Sequence, residues 1–376
     1  MNDEIFLVQD GQRPVKMASQ PYESEDLLQR LLAENPEILG SKSLEGAPRR
    51  WRLVSREQGV PDAAGSPDRW ALDHLFLDQD AVPTLIEVKR ARDTRARREV
   101  VAQMLDYAAN GVVYWPIANL REGFNKSCAD RNENVAEVIL DLVGEDVDED
   151  EFWRRVEGNM RQGRIRMVFV ADQIPDELRR IVEFLNGQMR PAVVLALEVK
   201  QYLSAQGART LVPRLLGNTT AAETAKSVSG GQTVHSLEEW IQVFADRNGR
   251  ELADTARDLI DVLRSIFDTV DITKSQDSVF TSVVANGHER YPIFLRIGGW
   301  VEIATRWIKN SPIFASEGAR QEILDRAEKI AGVKLSTRNL AGFPALRLEA
   351  LASEQARLAF KEFAAWLASR LREEGP

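Results

Sequence analysis

Residues 71–110, ALDHLFLDQDAVPTLIEVKRARDTRARREVVAQMLDYAAN, constrain the fold more than any other part of the chain. Residues 70–77 and 83–90 are apolar, strand-like runs joined by the turn DQDA. Yet the first run holds Asp73, and the second holds Glu87 and Lys89. Buried charge is costly unless something pairs with it, so three ionisable groups in two core strands need a reason. In a hairpin centred on Asp80, residues whose numbers sum to 160 face each other, and Asp73 lies opposite Glu87. Two carboxylates on one sheet face repel unless a cation lies between them. Lys89, two residues beyond Glu87, points to the same face. Its ammonium is thereby placed to orient a water or to stabilise charge developing on a phosphate. His74 alternates to the opposite face, where packing in the core or against a helix is expected.

The bulk properties narrow the chemistry. With 376 residues the chain has material for two ordinary domains. A composition of 44% hydrophobic and 28% charged residues is that of a soluble globular protein. No apolar run reaches the length of about 18 residues that a transmembrane helix needs. The N-terminus is acidic before it is apolar and lacks a signal-peptide core. The single cysteine, Cys128, excludes an internal disulfide and a zinc site built on cysteine alone. A reducing compartment, and so a cytoplasmic location, is expected. Three widely spaced histidines, His74, His235 and His288, speak against a His-rich metal centre. A metal held here by carboxylates would be a hard ion, Mg²⁺ or Mn²⁺. The net charge of −9 argues against a generic nucleic-acid coat. Locally the balance differs: residues 89–98 carry six basic side chains against one acidic, and 141–151 carry seven acidic and none basic.

Helical and strand patterns alternate up to about residue 215. Residues 22–34 read as a helix capped by Ser24 with leucines at 27, 28, 31 and 32, and 51–57 as a strand. A long helix over 94–110 is expected to stop at Gly111 as its C-cap. Helices follow over 131–143 and 149–162, a strand over 165–171, a helix over 175–189 that begins on a proline, and a strand over 192–202. This mixture predicts an α/β (α+β) layer with a mixed sheet in residues 1–215. Residues 216–235 are small, polar and glycine-bearing, a linker composition. Residues 236–376 read as a smaller C-terminal α+β domain, with a role in interaction, dimerisation or regulation. In it Trp300 and Trp307 serve an interface or, more commonly for such strands, the core.

Asp73 followed by Glu87-Val88-Lys89 resembles the core motif of the PD-(D/E)xK, or restriction-endonuclease-like, nucleases. Gln103 and Tyr107, four apart and so on one helical face, match the QxxxY motif of many members. Glu25 matches the acidic residue on the first helix that often completes their metal site. The likeness spans about residues 22–110, arguably to 202; it departs in having Leu72, not proline, before Asp73. The resemblance implies an αβββαβ core. In it Glu25, Asp73, Glu87 and the Val88 carbonyl hold Mg²⁺ (or Mn²⁺), Lys89 acts on the reacting groups, and Gln103 and Tyr107 organise the site. It implies phosphodiester hydrolysis, with DNA as the leading substrate and RNA as the alternative, and a homodimer through the C-terminal domain as a further expectation. Arg90, Arg92, Arg95, Arg97 and Arg98 leave the site strand directly, where phosphate contact competes with a merely solvated face. A nuclease-like fold that binds or regulates without turnover is the rival reading, which an intact Asp73, Glu87 and Lys89 disfavour.

Three decoys fall away. Pro67-Asp68 is a literal PD, but its register sets Asp68 against Arg92, beyond the strand. Glu198-Val199-Lys200 lacks an acidic residue on a hairpin partner and reads as a structural strand. Asp146, Asp148, Asp150 and Glu157 match EF-hand positions, but Glu151 replaces the required glycine.

Overall fold

The computed structural model describes residues 4–8, 13–40, 49–63, 66–90, 96–143, 149–217, 236–273 and 278–373, without the side chains of 96–98. It is an α+β protein with a mixed sheet. The chain divides into two compact units: unit 1 is Met1–Leu44, Arg49–Val138 and Asp148–Gly231, and unit 2 is Glu45–Pro48, Ile139–Val147 and Gln232–Pro376. Residues 218–235 of the expected linker lie outside the described residues, and 216 closes a strand.

In unit 1 the strands are β1 (Glu4–Leu7), β2 (Val15–Ser19), β3 (Trp51–Pro61), β4 (Asp68–Asp78), β5 (Pro83–Val88), β6 (Arg166–Ala171), β7 (Val193–Ser204) and β8 (Arg209–Leu216). The helices are α1 (Glu25–Glu34), α2 (Ala96–Tyr114), α3 (Ile117–Ala129), α4 (Val135–Val143, whose second half counts with unit 2), α5 (Glu149–Arg161) and α6 (Asp176–Gln188). β3, β4 and β5 form an antiparallel meander, and β5, β6 and β7 run parallel. β7 also pairs antiparallel with β2 and with β8, and β1 pairs with β2.

Local chemistry explains why the site elements form. α1 starts at Ser24, whose Oγ accepts the Leu27 amide at 3.1 Å, and Glu25 and Asp26 in its first turn favour the positive end of the helix dipole. Its Leu28 and Leu32 are fully buried against Phe76, Ile86, Val88, Val168 and Leu197 on one sheet face. β5 is buried along its whole length, as a strand flanked on both sides and covered on both faces must be. On the opposite face α2 and α5 lie against β5.

α2 does not end at Gly111 as expected but runs on to Tyr114. Gly111 stays within the helix, its carbonyl accepting the Trp115 amide at 3.1 Å, and a Cβ there would stand 2.6 Å from the Trp115 ring, so the glycine leaves room for the indole one turn on. Pro116 then follows, where its missing N–H stops the ladder. The run 117–129, unassigned from sequence, is α3, which buries Leu120, Phe124 and Cys128 at a spacing of four.

Unit 2 carries α7 (Leu237–Asn248), α8 (Arg250–Arg264), β9 (Thr269–Ile272), β10 (Ser278–Ala285), β11 (His288–Arg290), β12 (Ile293–Arg296), β13 (Trp300–Ile303), α9 (Thr305–Ile308), α10 (Glu317–Glu328), β14 (Ala345–Arg347) and α11 (Glu354–Arg372). Its described strand pairings are all antiparallel. α7, α8, α10 and α11 bury one core with Val279, Leu295 and Val301 of the sheet. Trp300 is buried with the Arg347 guanidinium 3.8 Å from its ring centroid, and Trp307 packs edge-on to Phe343 at 4.8 Å. No helix among the described residues is long and apolar enough to cross a membrane.

Candidate active site

The β4–β5 hairpin pairs His74 with Ile86 and Leu75 with Leu85, so the same register carries Asp73 opposite Glu87. Beyond His74 the backbone ladder stops and a side chain takes over: Asp73 Oδ2 accepts the Val88 amide at 2.7 Å. Asp73 and Glu87 are both buried. Lys89 leaves the end of β5, where its amide still donates to the Val170 carbonyl of β6 at 2.8 Å. Its Nζ lies 3.0 Å from Glu87 Oε1 and 3.4 Å from Glu25 Oε1 at the start of α1. The other Glu87 oxygen, Oε2, is buried with no hydrogen-bond partner.

The electrostatics follow from that shortage of donors. Burial, then the charges of Glu25 and Glu57, push the Asp73 carboxyl up to about 6 against the help of the Val88 amide and Lys89. Burial and the Asp73 charge push Glu87 up to about 7. Lys89 feels burial pulling its affinity down, but Glu87, Asp73 and Glu25 together outweigh it and hold the ammonium well above its ordinary value. Tyr107 is buried, and burial followed by the charges of Glu87 and Asp73 raises its hydroxyl to about 12. The phenol therefore feels the pair from α2, and its ring lies 6.4 Å from that of Trp70.

Five of the expected site residues, Glu25, Asp73, Glu87, Lys89 and Tyr107, thus act on one another electrostatically. Gln103, one turn before Tyr107, is exposed. Arg90 is half-buried and its Nη1 donates to the Glu23 carbonyl at 3.2 Å. Arg92 and Arg95 lie outside the described residues, as do the side chains of Arg97 and Arg98. His74 sits on the other face with Nε2 2.9 Å from the Gln29 carbonyl, which only accepts, so that nitrogen carries the proton. Burial lowers its basicity to about 4, leaving it neutral at pH 7. Asp68 is exposed, and Glu198 is a structural acid whose Oε2 accepts the Ile174 amide at 3.0 Å.

One neighbour escaped the sequence reading. Glu57 on β3 adds to the charge felt by Asp73, and nothing in the sequence marks it out, because its position depends on the β3–β4 register. Among the described residues no group of three or more His, Cys, Asp or Glu side chains is drawn together ready to hold a metal. Two carboxylates with an orphaned buried oxygen nonetheless suit Mg²⁺, which keeps several waters and is held by one or two protein carboxylates. No family model matches the chain, and no curated protein or solved structure matches it either.

Proposed function

We propose that unit 1 is a metal-dependent nuclease that hydrolyses phosphodiester bonds, with DNA as its leading substrate. The observation that carries this reading is the Asp73–Glu87 pair, buried side by side with more negative charge than Lys89 alone can offset. The order α1, β3, β4, β5, α2 and, after three further helices, β6, with Asp73 midway along β4 and Glu87 near the end of β5, supports a PD-(D/E)xK-like arrangement. Asp73, Glu87 and the Val88 carbonyl, with Glu25 beside them, would hold Mg²⁺ or Mn²⁺. The ion would lower the pKa of a bound water and offset charge building on the phosphate.

The remaining steps belong to the chain. Lys89 is cationic at neutral pH, so it donates to a phosphate oxygen or to the attacking water and does not accept its proton. Glu87 fixes that ammonium through Oε1, and Glu25 steadies it from α1. Asp73, tied to the Val88 amide, fixes the end of β5 against the middle of β4 beside the reacting phosphate. The Tyr107 phenol stays protonated and offers a donor on the α2 side. Gln103, exposed one turn away, is free to meet the substrate strand.

The test is cleavage of linear duplex, circular and single-stranded DNA, and of RNA, by the native chain and by Lys89→Ala, with Mg²⁺, Mn²⁺ or EDTA. Metal-dependent products that fall by about 10²–10³-fold in the variant are expected. Full activity in the variant sinks the assignment. Binding without cutting, equal with and without chelator, moves the reading to a nuclease-like protein without turnover.

A further inference from the structure

A groove of about 790 Å³ opens on unit 1 where α2, the end of α5, the start of β6 and residues 189–192 meet. α2 is shared between two sites: Tyr107 feels the acid pair, whereas Ala108, Ala109 and Val112 line the groove. Protein interiors are close-packed and hold few voids larger than a water molecule, so a space of this size needs a cause. Short side chains make the room, since Ala108, Ala109, Gly163 and Ala192 all border it. Three of the chain's six methionines, Met160, Met167 and Met189, line it as well. Unbranched thioether side chains adapt to the shape of an apolar occupant. Val113 on the same wall is 66% exposed, apolar surface that an occupant would take out of water.

The polar part of the lining carries one sign of charge. Arg161, Gln162 and Arg190 border the groove, and among its described lining residues none is acidic. Arg161 is engaged by Glu157 at 2.6 Å. Arg190 is exposed and forms no hydrogen bond or ion pair among the described residues. A chain of net charge −9 thus sets a free guanidinium beside an apolar groove. That combination is complementary to an anion carried on an apolar body.

We infer that this groove binds a free long-chain carboxylate, with its hydrocarbon tail against Met160, Met167 and Met189 and its head on Arg190. Small-molecule sites of about 300–1000 Å³ have mostly apolar walls and a few placed polar groups, as here. A guanidinium meets a carboxylate with two parallel N–H bonds. A sugar or nucleotide would leave polar groups against apolar walls, and a cationic head would meet arginine. The inference stands apart from the nuclease reading, because none of Glu25, Asp73, Glu87, Lys89, Gln103 or Tyr107 lines the groove.

The experiment is calorimetric titration of the full chain with dodecanoate, dodecylamine and dodecanol, each below its micelle concentration. Native protein is compared with Arg190→Gln and with Ala109→Trp, which fills the groove. The native chain is expected to take up one dodecanoate, and to bind the amine and the alcohol roughly tenfold or more weakly. Arg190→Gln should weaken dodecanoate by about tenfold and leave dodecanol unchanged, a charge-dependent difference that misfolding would not produce. Ala109→Trp should remove binding of both at an unchanged melting temperature. No uptake of dodecanoate by the native chain, equal uptake of all three compounds, or uptake that survives both substitutions would overturn the inference.

Discussion

Asp78 and Asp73 stand on the same strand and both are buried, but the two ends of the β4–β5 hairpin treat their acids differently. At the turn, Asp78 Oδ2 accepts from Arg49 at 2.6 Å and from Arg166 at 2.5 Å. Asp78 Oδ1 accepts the amides of Asp80 at 3.0 Å and Val82 at 2.9 Å. Asn159 of α5 then closes the turn by donating to the carbonyls of Asp80 and Ala81. At the open end, Asp73 and Glu87 have Lys89 close to hand, and one Glu87 oxygen faces no donor. A buried acid that serves the fold is matched with donors on both oxygens, because an unmet one is destabilising. An acid pair left short of donors is destabilised until a ligand arrives, which is how binding sites are marked.

The largest test of this contrast is stability at its two ends. Asp78→Ala would leave two buried guanidinium groups facing each other, and a loss of about 3–5 kcal/mol is expected in urea unfolding. In the same assay with EDTA, Glu87→Gln is expected to change stability by less than about 1 kcal/mol or to raise it, since burial already favours the neutral form. Equal losses at both positions would break the comparison.

A smaller effect appears with pH. Asp73 is raised to about 6 and Glu87 to about 7, above the values near 4 of an unfolded chain. Between about pH 4 and 7 the folded state therefore holds more protons than the unfolded state, so this pair makes stability fall as pH rises. The metal-free melting temperature is expected to drop from pH 5 to pH 8, and an Asp73→Asn, Glu87→Gln double variant should flatten that slope. Added Mg²⁺ should recover more at pH 8, where the pair is ionised, than at pH 5. A slope that survives in the double variant would assign the dependence to other groups.

The smallest expected change is at Gln103. It is exposed, so Gln103→Ala should shift stability by no more than about 0.5 kcal/mol. Any drop in cleavage by that variant then reports contact with substrate, and unchanged cleavage removes Gln103 from the site.

Much of the hairpin could be read in advance. Its register follows from a tight turn and strict alternation, and both are local properties of residues 70–90. The helix cap at Ser24 and the leucine face of α1 were legible for the same reason. α3 carried a readable signal in Leu120, Phe124 and Cys128, although its polar remainder hid it. β1, β2 and β8 had no comparable signal: they are strands by virtue of β7, whose long edges they complete, or of each other.

By itself, then, the sequence determined the elements whose causes lie within a few residues, and with them the facing of Asp73 and Glu87. Only the tertiary structure brought Glu25 of α1 and Tyr107 of α2 within electrostatic reach of the pair. It alone set Glu57 opposite Asp73, since the β3–β4 register shifts between Leu53 and Ser55, and one slipped residue exchanges which side chains share a face. Turn chemistry and periodicity act along the chain; the charge around Asp73 is assembled across it.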